Sequence, residues 1–309
     1  MLFGLVTIFI GFLAAVQSRV NGQFSKDVHN GLAAALISFL TGWIIILILM
    51  AFLPKERVGL RTIFHAMRHK ALRRWEVTGG AIGGFFVATQ SISVPLIGVA
   101  LFTIVTVAGQ TVASLYVDKY GLSPRGKQHI TPPRVIAAAL TLVAICIAVY
   151  PDLKHSSLRF LPLIFSLIVG CLASLQQALN GRVNEIAKSP LATTWMNFLT
   201  GTTVVALALI VNLLTGGSVG PLPSNPFIYL GGSIGVIFIA LSATIIRHMG
   251  VLNFILFSVT GQLLGAVALD WLFPAYKGAL TINLIVGVLL TIGAIAFARY
   301  FGGREVKSA

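Results

Sequence analysis

Gln17-Ser-Arg-Val-Asn21-Gly22 closes the first apolar stretch of the chain, and Gln176-Gln-Ala-Leu-Asn180-Gly181 closes another one 159 residues later. Polar residues are rare in apolar stretches, so a matched Gln-x3-Asn-Gly weighs more than many matched leucines. The same offset pairs Leu32-Ala33 with Leu191-Ala192, and Phe39-Leu-Thr-Gly42 with Phe198-Leu-Thr-Gly201. A second block matches at an offset of 152. It pairs Gly79-Gly80 and Gly83 with Gly231-Gly232 and Gly235, Gly98-Val99 with Gly250-Val251, Gly109-Gln110 with Gly261-Gln262, and Asp118 with Asp270. The change of offset assigns extra residues to the first half, in the 54–74 region. Such fixed-offset self-similarity is the mark of an internal duplication.

The composition says where the duplicated unit resides. The 309 residues are 57% hydrophobic and only 10% charged, with a mean hydropathy of +0.93. A soluble domain carries about 25% charged residues. A cytosolic enzyme, a secreted domain and a disordered chain are thereby excluded, and an all-α integral membrane protein is expected. A spanning helix needs about 20 apolar residues. Ten stretches qualify, near 2–20, 31–53, 75–95, 98–117, 134–150, 159–179, 190–214, 227–246, 250–272 and 279–301. The first could pass for a signal peptide, but its recurrence in mid-chain predicts a retained span. The halves are then 1–152 and 153–309, with five spans each. Five is odd, so the second half is expected upside down relative to the first, an inverted repeat of the kind on which transporters are built.

The formal charge of +14 is distributed unevenly. Alternating the loops of ten spans puts 17 of the 22 Lys and Arg on the side of the termini and 5 on the other. The positive-inside rule makes both termini cytoplasmic, in a bacterial-type inner membrane. No patterned basic or aromatic motif points to nucleic acid. The 55–74 segment holds Lys55, Arg57, Arg61, Arg68, Lys70, Arg73 and Arg74. It reads as a basic loop on anionic lipid, with Phe64 to Trp75 as a basic amphipathic helix lying on that surface. His65 and His69 have a metal-compatible spacing there, but no Cys or carboxylate completes a set. Neither metal nor cofactor is expected. Cys146 and Cys171 lie in apolar runs and read as small hydrophobes.

The polar residues inside the spans are the candidate site. Gln17 and Asn21, like Gln176 and Asn180, stand at i and i+4, which puts two amides on one helix face. They fit substrate hydrogen bonding, and equally interhelical bonds or helix-end caps. Gln110 and Gln262 lie in mid-span behind a glycine, where they line a cavity or join helices. Asn197 aligns with Ser38, and Gln90, Ser91 and Ser93 are weaker candidates. Gly79, Gly83, Gly231 and Gly235 read as helix-packing positions. Asp118 and Asp270 sit at equivalent helix C-termini, where the dipole disfavours a negative charge. Each needs a compensating donor or cation; Lys119 and Arg134 are in reach of Asp118. Both read as gate or loop anchors. Glu76, at the start of the third span, suits a helix N-terminus.

Gln17 to Gly22, Ala34 to Gly42, the glycines from Gly79 to Gly84, Gly109-Gln110 and Asp118 to Gly121 together resemble the YdcZ-like branch of the drug/metabolite transporter superfamily. The second half keeps Asp270 but has Leu272-Phe273 where the family pattern has aromatic-Gly. The resemblance covers nearly the whole chain. It implies two inverted five-helix repeats and a cavity lined by spans one to four and six to nine. It also implies export of small metabolites or drugs across the inner membrane. Related four-span exporters use a glutamate in their first span for proton and cation binding, and this first span has no carboxylate.

The expectation is therefore a secondary transporter of a neutral or weakly charged small molecule. No Gly-x4-Gly-Lys-Ser/Thr motif supplies nucleotide-driven transport. The alternative is a membrane-embedded enzyme or accessory subunit acting on a lipid-linked substrate. The scattered acids and the absence of a nucleophile–His–acid set argue against the enzyme. Assembly as a homodimer is left open by the sequence.

Overall fold

The computed structural model describes residues 2–122, 126–127, 130–153, 160–249, 251–274 and 280–308. They form eleven α-helices: α1 (Leu2–Asp27), α2 (Gly31–Phe52), α3 (Pro54–Arg68), α4 (Gly79–Ile97), α5 (Val99–Lys119), α6 (Pro132–Leu153), α7 (Phe160–Ala187), α8 (Pro190–Leu214), α9 (Gly231–Met249), α10 (Val251–Leu272) and α11 (Ile282–Ser308). Short 3-10 turns over Arg74–Thr78 and Pro226–Leu230 lead into α4 and α9. Among the described residues, seven runs are long and apolar enough to cross a membrane: α1, α2, Arg74–Ile97, α5, Pro132–Tyr150 of α6, α7 and α8. Shorter apolar runs cover Pro226–Phe238, Phe257–Leu272 and Ile282–Phe297. Ile44, Leu47 and Ile48 of α2, Leu207 and Val211 of α8 and Leu289 of α11 are exposed. An apolar surface of that extent is one that a bilayer covers.

The duplication is visible in how helices begin. Asn30 caps α2 by accepting from Leu32 N and Ala33 N, each at 3.0 Å. Ser189, its match at the offset of 159, caps α8 by accepting from Ala192 N at 3.0 Å. The residue before each cap, His29 and Lys188, has a left-handed backbone with φ of 53° and 50°. Both tight turns therefore share one geometry, with the side-chain oxygen satisfying helix N–H groups that have no partner of their own.

Packing runs between the halves. α1 lies along α10 and α5 lies along α7; α4 packs on α7 and α8, and α9 on α1 and α2. The close approaches are exchanged pairwise. A β-carbon added at Gly11 would stand 2.0 Å from Ser258 O, and one at Gly170 would stand 2.3 Å from Thr106 O. Backbones this near need glycine between them. The connection after each second span folds over the other half's turn. Gly220 N donates to Val28 O at 2.8 Å. At the opposite end, α3 buries Gly59, Ile63 and Ala66, and Glu56 accepts from Ser189 Oγ.

α3 is the extra material of the first half. Ile63 and Ala66 pack in one cluster with Val183, Ala187, Ala192 and Met196. Its other face leaves Val58, Arg61, Phe64 and Arg68 exposed. Arg57 turns back to the end of α2, its Nε donating to Met50 O at 2.8 Å and its guanidinium also to Ala51 O. A cation at that point meets the negative end of the helix dipole.

Candidate polar site between the two halves

The Gln-x3-Asn pairs lie against the glycines of the opposite half. On α7, Gln176 Nε2 and Asn180 Nδ2 both donate to Asn197 Oδ1 of α8, at 3.2 and 3.0 Å. The pair lies over Gly79 and Gly83 of α4. A β-carbon at Gly79 would stand 2.8 Å from Asn180 Oδ1, and one at Gly83 would stand 2.5 Å from Gln176 Nε2. On α1, Asn21 and Gln17 occupy the matching places over Gly231 and Gly235 of α9. The corresponding distances are 2.2 Å to Asn21 Oδ1 and 3.0 Å to Gln17 Nε2. These four glycines thus make room for amides. Direct contact between helix backbones falls to their neighbours, Gly80 against Asn197 O and Gly232 against Ser38 O.

The two sets differ in their third member. Ser38 stands where the second half has Asn197, and it is too short to collect two amides. Asn21 instead donates through Nδ2 to Gln90 Oε1 of α4 at 2.9 Å, and Gln90 Nε2 donates to Ser18 Oγ at 2.6 Å. Asn21 Oδ1 is buried without a hydrogen-bond partner among the described residues. An acceptor left open in a dry interior costs about 1–3 kcal/mol unless a ligand or water meets it.

Aromatic rings accompany the amides. Phe39 and Phe198 have ring centroids 5.2 Å apart, and a β-carbon at Gly235 would lie 3.6 Å from Phe198 Cζ. Trp43 and Trp195 are 6.1 Å apart, and each has a buried Nε1 without a partner among the described residues. The arrangement offers planar apolar surface beside unpaired donors and acceptors. The repeated Phe-Leu-Thr-Gly carried the signal for the phenylalanines. Nothing in the sequence singled out the tryptophans or Ser18.

Gln110 and Gln262 do not join these sets. Gly109 brings α5 against α7, where its β-carbon would stand 2.5 Å from Leu167 O. Ser174 Oγ donates to the backbone oxygen of Gln110 at 2.7 Å. Gly261 presses α10 on Ile8 of α1 in the same way, and Gln262 Nε2 reaches Ser258 Oγ at 3.5 Å. Both glutamines ride on glycine seams between helices. Of the weaker candidates, Ser91 and Ser93 of α4 are buried, and Ser91 Oγ is without a hydrogen-bond partner among the described residues.

Asp270, Asp118 and Glu76 are held by partners other than these amides. Asp270 is buried and accepts from Val99 N at 3.0 Å and Ala100 N at 2.7 Å, the start of α5. Asp118 pairs with Arg134 at 2.5 Å. Glu76 accepts from Arg73 N at 2.6 Å and pairs with Arg182 at 2.7 Å, tying the turn before α4 to α7. Arg73, Trp75, Glu76, Leu179 and Arg182 line a cleft of about 190 Å³ at that end. His65 and His69 stack at 4.2 Å, and among the described residues no group of three or more His, Cys, Asp or Glu could hold a metal ion.

The family described as "Putative inner membrane exporter, YdcZ" matches residues 2–147 and again 161–297. One solved structure, described only as "Crystal structure of protein", is similar in fold. Its TM-score is 0.55 at 17% identity, with 97% of each chain covered. No curated protein matches the chain.

Proposed function

The chain belongs to the YdcZ inner membrane exporter family, and from that premise we propose that it exports a small molecule by alternating access around the two amide sets. The family is one of membrane transporters, and the apolar helices make this an integral protein of the inner membrane. The finer reading is ten spans in two inverted repeats, with both termini cytoplasmic. The end bearing α3 and Asp118 then faces the cytoplasm, in keeping with its excess of Lys and Arg. The observation that carries the proposal is the matched placement of Gln17–Asn21 and Gln176–Asn180 over the opposite half's glycines. A site made twice, once from each half, can be reached from either side by rocking one half against the other.

The substrate class follows from the lining. Amides, hydroxyls and two indole N–H groups suit a neutral or weakly charged molecule with a planar or apolar part. Thermal-shift screening of the purified protein against a metabolite and drug library tests the site, since a ligand selective for the folded state stabilises it. Hits that stabilise the wild type and lose their effect in Asn197→Leu support the site. Hits that stabilise both equally place binding elsewhere.

A further inference from the structure

We propose that Asp118 and Asp270 are reciprocal locks, one for each end of the molecule, each closing its end by capping a helix N-terminus in the opposite half. The inference rests on the alternating-access reading above and names the residues that alternate. Asp270, at the end of α10, takes the first two N–H groups of α5, Val99 and Ala100. A helix start has such donors to spare, and its dipole favours a carboxylate. Gly98 makes the approach possible: its φ is +83°, and a β-carbon there would stand 2.7 Å from Asp270 Oδ2.

The same end is tied a second time. Asn21, Gln90 and Ser18 join α1 to α4, and a β-carbon at Gly22 would lie 2.8 Å from Val94 Cγ1. α1, α4, α5 and α10 are thus held together at the Asp270 end.

The repeat supplies the matching parts at the other end. Asp118 matches Asp270, and Gly98-Val99 matches Gly250-Val251 at the same offset of 152. α10 begins at Val251, so its N-terminal donors belong to the end where Asp118 stands. In this structure Arg134 holds Asp118 instead. Val286 matches Arg134, so the second half has no cation at the position from which Arg134 holds Asp118. Asp118 and Arg134 are 24% and 29% exposed, a pair reached by water and weak enough to exchange. Asp118 therefore has two partners to choose between: Arg134 when its end is open, and the start of α10 when its end closes. Asp270 docked with Asp118 released is one state of a two-state lock, and the inverse is the other.

The test is double electron–electron resonance on the full chain in lipid nanodiscs, with Cys146 and Cys171 replaced by alanine. One label pair, L96C with L272C, reads the Asp270 end. The other, Y120C with H248C, reads the Asp118 end. Asp270→Asn should lengthen the first distance and shorten the second, moving the population ratio by about fivefold or more. Asp118→Asn should move it in the opposite direction from wild type. Arg134→Gln frees Asp118 and should act in the same direction as Asp270→Asn, so the proposal stays testable if the Asp270 variant misfolds. Shifts of the two aspartate variants in one direction, or none in either, overturn it. Flux in proteoliposomes is scored separately: opposite shifts without wild-type flux would refute the transport reading and leave the lock, and flux without opposite shifts would do the reverse.

Discussion

Phe39 and Phe198 occupy matched positions in the two halves, and each ring lies on the other half's glycine. A β-carbon at Gly42 would stand 2.1 Å from Phe198 Cε1, and one at Gly201 would stand 2.2 Å from Phe39 Cε1. The crossing of α2 and α8 is therefore built from two exchanged ring-on-glycine contacts. Gly42→Ala should cost about 1–3 kcal/mol, the usual price of overpacking. Thermal unfolding in detergent checks this. Combining it with Phe198→Leu should recover part of the loss, because the clash is with that ring; purely additive losses would contradict the contact.

Asn197 is the common acceptor for Gln176 and Asn180. Asn197→Leu leaves both donors without it. Interhelical hydrogen bonds in membranes contribute about 0.6–2 kcal/mol each, so the protein should still fold. Transport should fall tenfold or more, by the same two lost contacts. Asn197→Ser, the residue type found at Ser38, should retain an intermediate rate in a flux assay.

Much of this was legible in the sequence. The offset repeat, the two amide pairs and the basic character of 55–74 all come from spacing and residue type, whereas the helix there runs over Pro54–Arg68 and stops short of the expected Phe64–Trp75 stretch. The helix ends were less legible. α1 runs to Asp27 and α7 to Ala187, past the apolar stretches that suggested them. In their last turns Phe24, Val183 and Ala187 are buried while Lys26, Arg182 and Glu185 are exposed, so an apolar count stops before the helix does. Gln110 and Gln262 show a second limit. Polarity in a span marks a residue as unusual but gives no azimuth, and here it is the preceding glycines, Gly109 and Gly261, that face the neighbouring helices. The partner of Asp270 lies 171 residues away in the chain, so only the need for compensation could be read, and its source could not. For Asp118 the nearby Arg134 was legible as one of two local cations.

Gly98 combines a left-handed backbone with the Asp270 contact. Gly98→Ala should lower stability by the left-handed penalty of about 1–2 kcal/mol and by displacement of the carboxylate. Gly216 serves as the control, with φ of +94° and nothing within 4 Å of its β-carbon position. The melting temperature of Gly98→Ala should fall further than that of Gly216→Ala. Equal losses would mean the carboxylate contact contributes nothing.

The exposed cations of α3 and the turn after it face away from the protein. Replacing Arg61, Arg68 and Lys70 together by Gln should remove about 1 kcal/mol of attraction per charge to an anionic surface. Wild type should melt at a higher temperature in nanodiscs rich in phosphatidylglycerol than in phosphatidylcholine alone. The triple variant should lose that difference and keep its melting temperature in phosphatidylcholine.

Transport through the paired amide sets is most directly tested by counterflow in proteoliposomes, using a ligand found by thermal shift. Wild type should give saturable exchange, and Asn21→Leu and Asn197→Leu, one from each half, should each abolish it while the folded protein remains. Undiminished exchange in either variant would contradict a substrate site shared between the two halves.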